Sequence, residues 1–436
     1  MNKVITVLYE ISNLGLGANL GSRGFDPKTR TGIFRAIENI LEEIQNSSSV
    51  ESWFTSCVNL NEAILTKHYL NQEKIKWSSR NIDLLYNFLL FKNAYINIIN
   101  SIHNNKSRTL LNRGKRKIQS KFLDCLTYLT IPKKIGKDFD IYHSFFFPLP
   151  NFSKYKITVK QRIITIYDLI PVLMPQFFTE GMQDFFLKEL IPSIEIYKDW
   201  VICISHSTKK DFCKLTGMPE ERVFVTHLGA SNNFYKESNT DKIQANLDKY
   251  KIPQGRYILG LSTLEPRKNT AHLIRCFFKI LLENRYDDVY LVLAGSKGWL
   301  YEEIFQTADT HSNLKDKVIF TGFIDDKDLS SIYSGAIFFV YPSLYEGFGL
   351  PPLEAMQCGL PVITSNNSSL PEVVGNAGIM VDATDESQLC QAMTKLLNNP
   401  NLCQQLSKQA LQHSQNFSWE KCAAETIAIY QHILEK

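Results

Sequence analysis

Short β-branched and aromatic runs alternate along this chain with segments whose apolar residues recur every three or four positions. That alternation is the mark of parallel α/β layers, not of a sandwich or a helical bundle. Strands are predicted at 3–10, 53–59, 140–145, 162–168, 200–204 and 222–226, and again at 256–262, 288–294, 317–321, 335–341 and 360–364. The second set in particular is continuous and apolar enough to be buried on both faces. Two such sets imply an α/β chain of two Rossmann-like domains with parallel sheets. The break falls near 236–255, where the polar stretch Lys236-Glu237-Ser238-Asn239-Thr240-Asp241-Lys242 leads to Pro253-Gln254-Gly255. The domains are therefore expected at 1–245 and 246–415. Helical segments follow at 386–398, 400–413 and 418–434, the last with Trp419, Ala423, Ile427, Tyr430 and Ile433 on one face. The terminal segment 416–436 is expected to pack back towards the first domain.

One stretch breaks the rhythm. Residues 61–130 are rich in Asn, Ile and Lys and read as a helical insert, with a basic run (Lys106, Arg108, Arg113, Lys115, Arg116, Lys117, Lys121) that contains no acid. Such a run beside an apolar helix either rests on an anionic membrane surface or is a solvated loop. It lacks aromatics at a stacking spacing, so no nucleic acid is expected.

Composition changes this picture little. With 436 residues, 44% hydrophobic and 21% charged, the chain is an ordinary globular one too long for a single core. The formal charge of +4 is too small to argue for a polyanionic partner. Its 9 cysteines include no Cys-x-x-Cys pair and read as reduced thiols, which fits a cytoplasmic protein, optionally at the inner face of the membrane. The start, Met1-Asn2-Lys3-Val4-Ile5-Thr6-Val7-Leu8, reads as a first strand, and no apolar run approaches the ~18–20 residues of a spanning helix.

The chemistry concentrates in two strand-end loops. Pro342-Ser343-Leu344-Tyr345-Glu346-Gly347-Phe348-Gly349-Leu350-Pro351-Pro352-Leu353-Glu354 follows a strand, at the end where open α/β sheets bind ligands. Gly347 and Gly349 let backbone amides approach a ligand, and the prolines start a helix whose free N–H groups suit a phosphate. Glu346 and Glu354 flank that anion site, which is tolerable if each binds neutral hydroxyls, as sugar and ribose would offer. Upstream, Leu264-Glu265-Pro266-Arg267-Lys268-Asn269 is again strand, turn and helix start, with Asn269 expected as N-cap. Arg267 and Lys268 can neutralise a diphosphate without a metal.

These segments, with Gly295-Ser296-Lys297-Gly298-Trp299 and Ser369-Leu370-Pro371-Glu372-Val373, strongly resemble the retaining GT-B glycosyltransferases of glycosyltransferase family 4, the bacterial polysaccharide and lipopolysaccharide mannosyltransferases in particular. The resemblance is close over about 256–385 and looser over 140–230. It implies a nucleotide-sugar, GDP-mannose or a UDP-hexose, held by the second domain against a glycan or lipid-linked acceptor held by the first. Arg267 and Lys268 would then meet the diphosphate, Glu346 the donor sugar, the amides of Phe348, Gly349 and Leu350 the sugar and phosphates, and Glu354 the ribose. The base would lie near Gly322 and Phe323, with Ser262, Thr263 and Gly295 also on the donor side. No cofactor or metal is implied, and the Asp-x-Asp pairs Asp138/Asp140 and Asp326/Asp328 read as incidental surface acids.

The first domain departs from the family. Where a Gly-Gly turn is common, a single glycine, Gly32, opens a helix carrying Ile33, Phe34, Ile37, Ile40, Leu41 and Ile44. Gly32 either admits the pyrophosphate or simply starts the helix, with Arg30 or Arg35 available to add charge. Asp168, preceded by Tyr167 where relatives place His, either orients the acceptor hydroxyl or caps the next turn; His143 is its expected companion. His206 and His227 show no metal-ligand spacing. Rival readings are a nucleotide-sugar epimerase or phosphorylase on the same fold, and a non-catalytic nucleotide-sugar-binding scaffold.

Overall fold

A computed structural model describes residues 4–17, 20–21, 24–25, 32–55, 66, 137–152, 157–178, 181–284 and 286–436. The insert at 61–130, apart from Thr66, and Arg30 lie outside the described residues. The first sheet contains β1 (Ile5–Glu10), β2 (Val50–Thr55), β3 (Asp138–Ser144), β4 (Thr158–Ile166), β5 (Trp200–Cys203) and β6 (Val223–Val225), in the order β2-β1-β3-β4-β5-β6. The second contains β7 (Arg256–Leu261), β8 (Val289–Ala294), β9 (Val318–Gly322), β10 (Phe338–Tyr341), β11 (Val362–Ser365) and β12 (Ile379–Val381), in the order β9-β8-β7-β10-β11-β12. Every pairing in both sheets is parallel. The helices that matter below are α1 (Gly32–Gln45), α2 (His206–Thr216), α3 (Thr270–Glu283), α4 (Asp326–Gly335), α5 (Leu350–Gln357), α6 (Leu370–Val374) and α7 (Trp419–Leu434). Among the described residues no helix is long and apolar enough to cross a membrane.

One strand expectation needs correction and one strand was not foreseen. β2 begins three residues earlier than its apolar run, because Val50 pairs with Ile5 and the half-buried Glu51 and Ser52 sit on an edge strand with one wet face. β12 is a three-residue edge strand, too short to leave a pattern. Two of the four supposed surface acids are buried, while Asp138 is exposed as expected. Asp140 is buried and accepts hydrogen bonds from the Thr6 N–H (3.0 Å) and hydroxyl (2.9 Å) and from Lys160 (2.6 Å), tying β1, β3 and β4 together. Burial opposes its charge, yet Lys160 and the Thr6 donors hold its carboxyl at about 2. Asp328 is likewise buried, against Lys249 (2.6 Å) and the Tyr250 hydroxyl (2.8 Å).

The first sheet's core is completed by the C-terminal helix. Ser418 caps α7 by accepting the Lys421 N–H, and the face carrying Trp419, Cys422, Ala423, Thr426, Ile429, Tyr430 and Ile433 is buried. Its apolar members belong to the same cluster as Val7 and Tyr9 of β1 and Phe34, Ile37 and Leu41 of α1. His143, expected beside the acceptor, is part of this core. Its side chain is wholly buried, with Nδ1 2.6 Å from the Tyr430 hydroxyl and Nε2 2.8 Å from Thr165 Oγ1. Burial lowers its pKa to about 3, so the ring is neutral and both nitrogens are occupied by the fold.

That contact is testable. Tyr430→Phe strands a buried ring nitrogen, and the expected cost is about 1–3 kcal/mol, read as a lowered thermal midpoint. An unchanged midpoint would show that the α7 contact with His143 contributes nothing.

Candidate active site

In the second sheet the strand order reverses between β7 and β10, and the crevice outside their carboxyl ends is where an open α/β sheet receives a ligand. The loop after β7 makes a short 3₁₀ turn, Pro266–Lys268, whose tight pitch sends the side chains of adjacent residues in different directions. Arg267 and Lys268 consequently do different work. Lys268 donates to Glu346 Oε1 (2.6 Å) and to the Tyr341 hydroxyl (2.7 Å) and lies in the cleft wall. Arg267 is buried behind that wall, bonded to the Tyr345 carbonyl (2.6 Å), Glu265 (2.6 Å) and Glu346 (3.0 Å). Arg267 thus braces the loop while Lys268 borders the cleft, with the two side chains about equally buried at 10% and 12% exposed. Asn269 does not cap α3 with its side chain; its amide instead ties the loops at Pro342 (3.1 Å) and Ala383 (2.7 Å) together.

Glu346 is the hub of this wall. Its Oε1 receives Lys268, Arg267 and the Ser343 hydroxyl (2.6 Å). Burial pushes its pKa up, but the Arg267 and Lys268 charges outweigh that and hold it at about 2, so it is a carboxylate at any ordinary pH. Burial and the Arg267 charge together lower the pKa of Lys268, against the pull of Glu346.

The glycine turn is shaped from both sides. A Cβ on Gly347 would stand 2.4 Å from the Tyr167 carbonyl and 2.8 Å from Asp168 Cβ, so the absent side chain lets the second half's loop touch the first half's β4 end. Gly349, at φ +115°, turns the chain into α5 in a conformation that side chains resist. Ser369 donates to the carbonyls of Glu346 (2.9 Å) and Phe348 (2.7 Å), while the Glu346 N–H donates to Ser368 (2.9 Å). The loop's own carbonyls are thus satisfied from behind.

One turn into α5, Glu354 meets Arg35 of α1 at 2.9 Å and the Tyr333 hydroxyl of α4 at 3.2 Å. Burial raises the Glu354 pKa, opposed by Arg35. Asp168 accepts the Ile170 N–H at 3.0 Å and also borders the cleft, so it caps its turn and faces the ligand space together. Burial raises its pKa too, only partly offset by that N–H and by Arg267.

The cleft, of about 390 Å³, is bordered by Gly32, Asp168, Ser262, Thr263, Lys268, Gly295, Phe323, Glu346, Gly347, Phe348, Gly349, Leu350 and Glu354. That volume suits a small-molecule site. Gly322 stands just behind Phe323, its carbonyl accepting the Gly295 N–H at 2.9 Å. Arg267 and His143 are not in the wall. Reasoning from sequence missed Tyr341, Ser343, Ser368, Ser369 and Tyr333 as supports, and Asp326 as a cleft acid. For the serine pair the signal was present in the Ser-Leu-Pro-Glu segment, but its hydrogen-bonding task is invisible without coordinates.

Comparison with known proteins accords with this geometry. Residues 242–413 match the family model described as glycosyl transferases group 1. The chain is 31% identical over 295 residues to O-antigen chain mannosyltransferase B of Escherichia coli, covering 68% of this chain and 74% of that one. It is 32% identical over 278 residues to the serotype-specific mannosyltransferase WbdA of Escherichia coli, covering 63% of this chain but only 34% of that longer protein. In solved structures the fold is shared with Anabaena Alr3699/HepE in complex with UDP and glucose, at TM-score 0.63 and 14% identity over 98% of this chain and 100% of that one. With its paired parallel sheets and the ligand crevice between them, the chain belongs to the group 1 glycosyltransferases and has the GT-B fold.

Proposed function

We propose that this glycosyltransferase moves a hexosyl unit from a nucleotide-diphosphate sugar to a glycan or lipid-linked glycan, with retention of anomeric configuration, as in family 4, for cell-surface polysaccharide synthesis. Mannose from GDP-mannose is the favoured unit, because both relatives described above are named mannosyltransferases. A UDP-hexose is the alternative, since HepE holds UDP and glucose. The observation that carries the reading is the convergence of Lys268, Glu346 and the 347–350 turn on one crevice at the strand-order reversal.

In this reading the pyrophosphate lies against Lys268 and the amides of Phe348, Gly349 and Leu350 leading into α5, which supply the countercharge as the leaving group departs. The reading needs no metal there, because the ammonium and the helix terminus already do that work. Glu346, fixed as an anion, accepts hydrogen bonds from the donor sugar's hydroxyls, and its bond to Lys268 keeps the ammonium aimed. Glu354 takes the ribose hydroxyls, exchanging or sharing its contact with Arg35. The acceptor hydroxyl, oriented near Asp168, attacks on the face from which the nucleotide leaves, and the departing phosphate takes its proton. The protein contributes orientation and fixed charge more than acid–base chemistry.

A thermal-shift panel of nucleotide-sugars, followed by transfer to lipid-linked glycans and NMR of the product's anomeric configuration, tests donor and stereochemistry. A protective donor without transfer, or an inverted product, would overturn the proposal. Lys268→Ala and Glu346→Ala are each expected to lower kcat by about 10²-fold or more, the scale of losing a preorganised stabilising group. Near-normal turnover in both would remove the site from the chemistry.

The lowered pKa of Lys268 has a sign that can be checked. The ammonium is lost as pH rises through that value, so kcat/KM falls on an alkaline limb that begins below the ordinary lysine range. Lys268→Arg, which stays charged, should push that limb upward even if it lowers the plateau. A limb unmoved by the substitution belongs to another group.

A further inference from the structure

Behind Phe348 of the cleft wall, three side chains far apart in sequence meet at the seam between the two halves. His206 opens α2, His227 follows β6, and Glu372 stands in α6. One ligand atom from each lies within 4.8 Å of the others. We propose that His206, His227 and Glu372 form a divalent metal site of the zinc class that pins the two halves of the enzyme together. The inference is independent of the donor reading above.

The carboxylate is already aimed. Glu372 Oε1 accepts the Ser207 N–H (2.7 Å) and Oε2 the His206 N–H (2.8 Å), an outer shell of fixed donors of the kind that orients metal ligands. His227 is aimed as well, its ring lying against Phe348 and Phe417 with centroids 6.0 and 5.8 Å away. Its Nε2 stands 3.2 Å from Glu372 Oε2. That is long for a hydrogen bond, yet close to the about 3.3 Å that two ligands bonded at about 2.0 Å subtend around a tetrahedral zinc. His206 is exposed, its ring centroid 5.6 Å from that of His227, so turning its side chain supplies the third ligand and leaves the fourth position to water. Two imidazoles and one carboxylate suit zinc and its neighbours, not the all-oxygen preference of magnesium or calcium. The positive end of α2 opposes a cation, but weakly and only over its first turn.

The histidines belong to the first half and the carboxylate to the second. An ion held by all three binds only when the halves are together, and so favours that arrangement by linkage.

The experiment titrates the full-length protein with Co²⁺ as a spectroscopic stand-in for Zn²⁺. The expected result is one equivalent with visible d–d bands, displaced by Zn²⁺, and without the thiolate charge-transfer band that the cysteines would give. His227→Ala and Glu372→Gln should each weaken binding at least about tenfold, in variants whose thermal midpoints show them folded. Zn²⁺ should slow hydrogen exchange in the first turn of α2 in the wild type and not in Glu372→Gln. Identical Co²⁺ isotherms for wild type and the His206→Ala/His227→Ala variant, a thiolate spectrum, or exchange unchanged by zinc would overturn the proposal.

Discussion

A single buried carboxylate organises the functional half of this enzyme. Glu346 gathers an ammonium, a guanidinium and a hydroxyl on one oxygen, the two cations from the loop after β7 and the hydroxyl from its own loop after β10. A charge taken out of water is stable only when its partners are close and well oriented, so removing one leaves the rest uncompensated. The geometry of the crevice is therefore stiff where the reaction needs it to be. The two adjacent cations meet that constraint with different partners, Arg267 bonding to Glu265 and the Tyr345 carbonyl as well as to Glu346, and Lys268 to the Tyr341 hydroxyl.

Much of this was legible in the sequence. The continuous apolar strands, the Glu-Gly-Phe-Gly-Leu-Pro turn and the Glu-Pro-Arg-Lys-Asn segment place the two sheets and the crevice, because strand ends and helix starts are encoded locally. What was not legible depends on direction and depth. Arg267 and Lys268 look alike in a sequence, and only the 3₁₀ turn separates their tasks. His143 looks like a site residue at a strand end, and only the docking of α7 shows both its nitrogens engaged in the core. Asp140 and Asp328 look like surface acids because their partners lie on other elements.

The contact between halves is equally a matter of what is missing. At Gly347 the loop after β10 touches backbone at β4's end, a fit that no side chain permits, while Glu372 binds the first amides of α2. The two halves thus meet through main-chain groups as well as through side-chain pairs such as Arg35 with Glu354 and the packing of Phe348, Leu353 and Val373 into the first core.

The return of α7 has a consequence for biosynthesis. The residues that close the core around β1 and α1 leave the ribosome only after the entire second sheet and its helices have been made. Until then the apolar face formed by Val7, Tyr9, Phe34 and Ile37 lacks its cover, and the nascent chain is a natural client for a holding chaperone. Folding of the earlier half is thereby tied to completion of the later one, and a truncated translation product would be recognised by its uncovered surface.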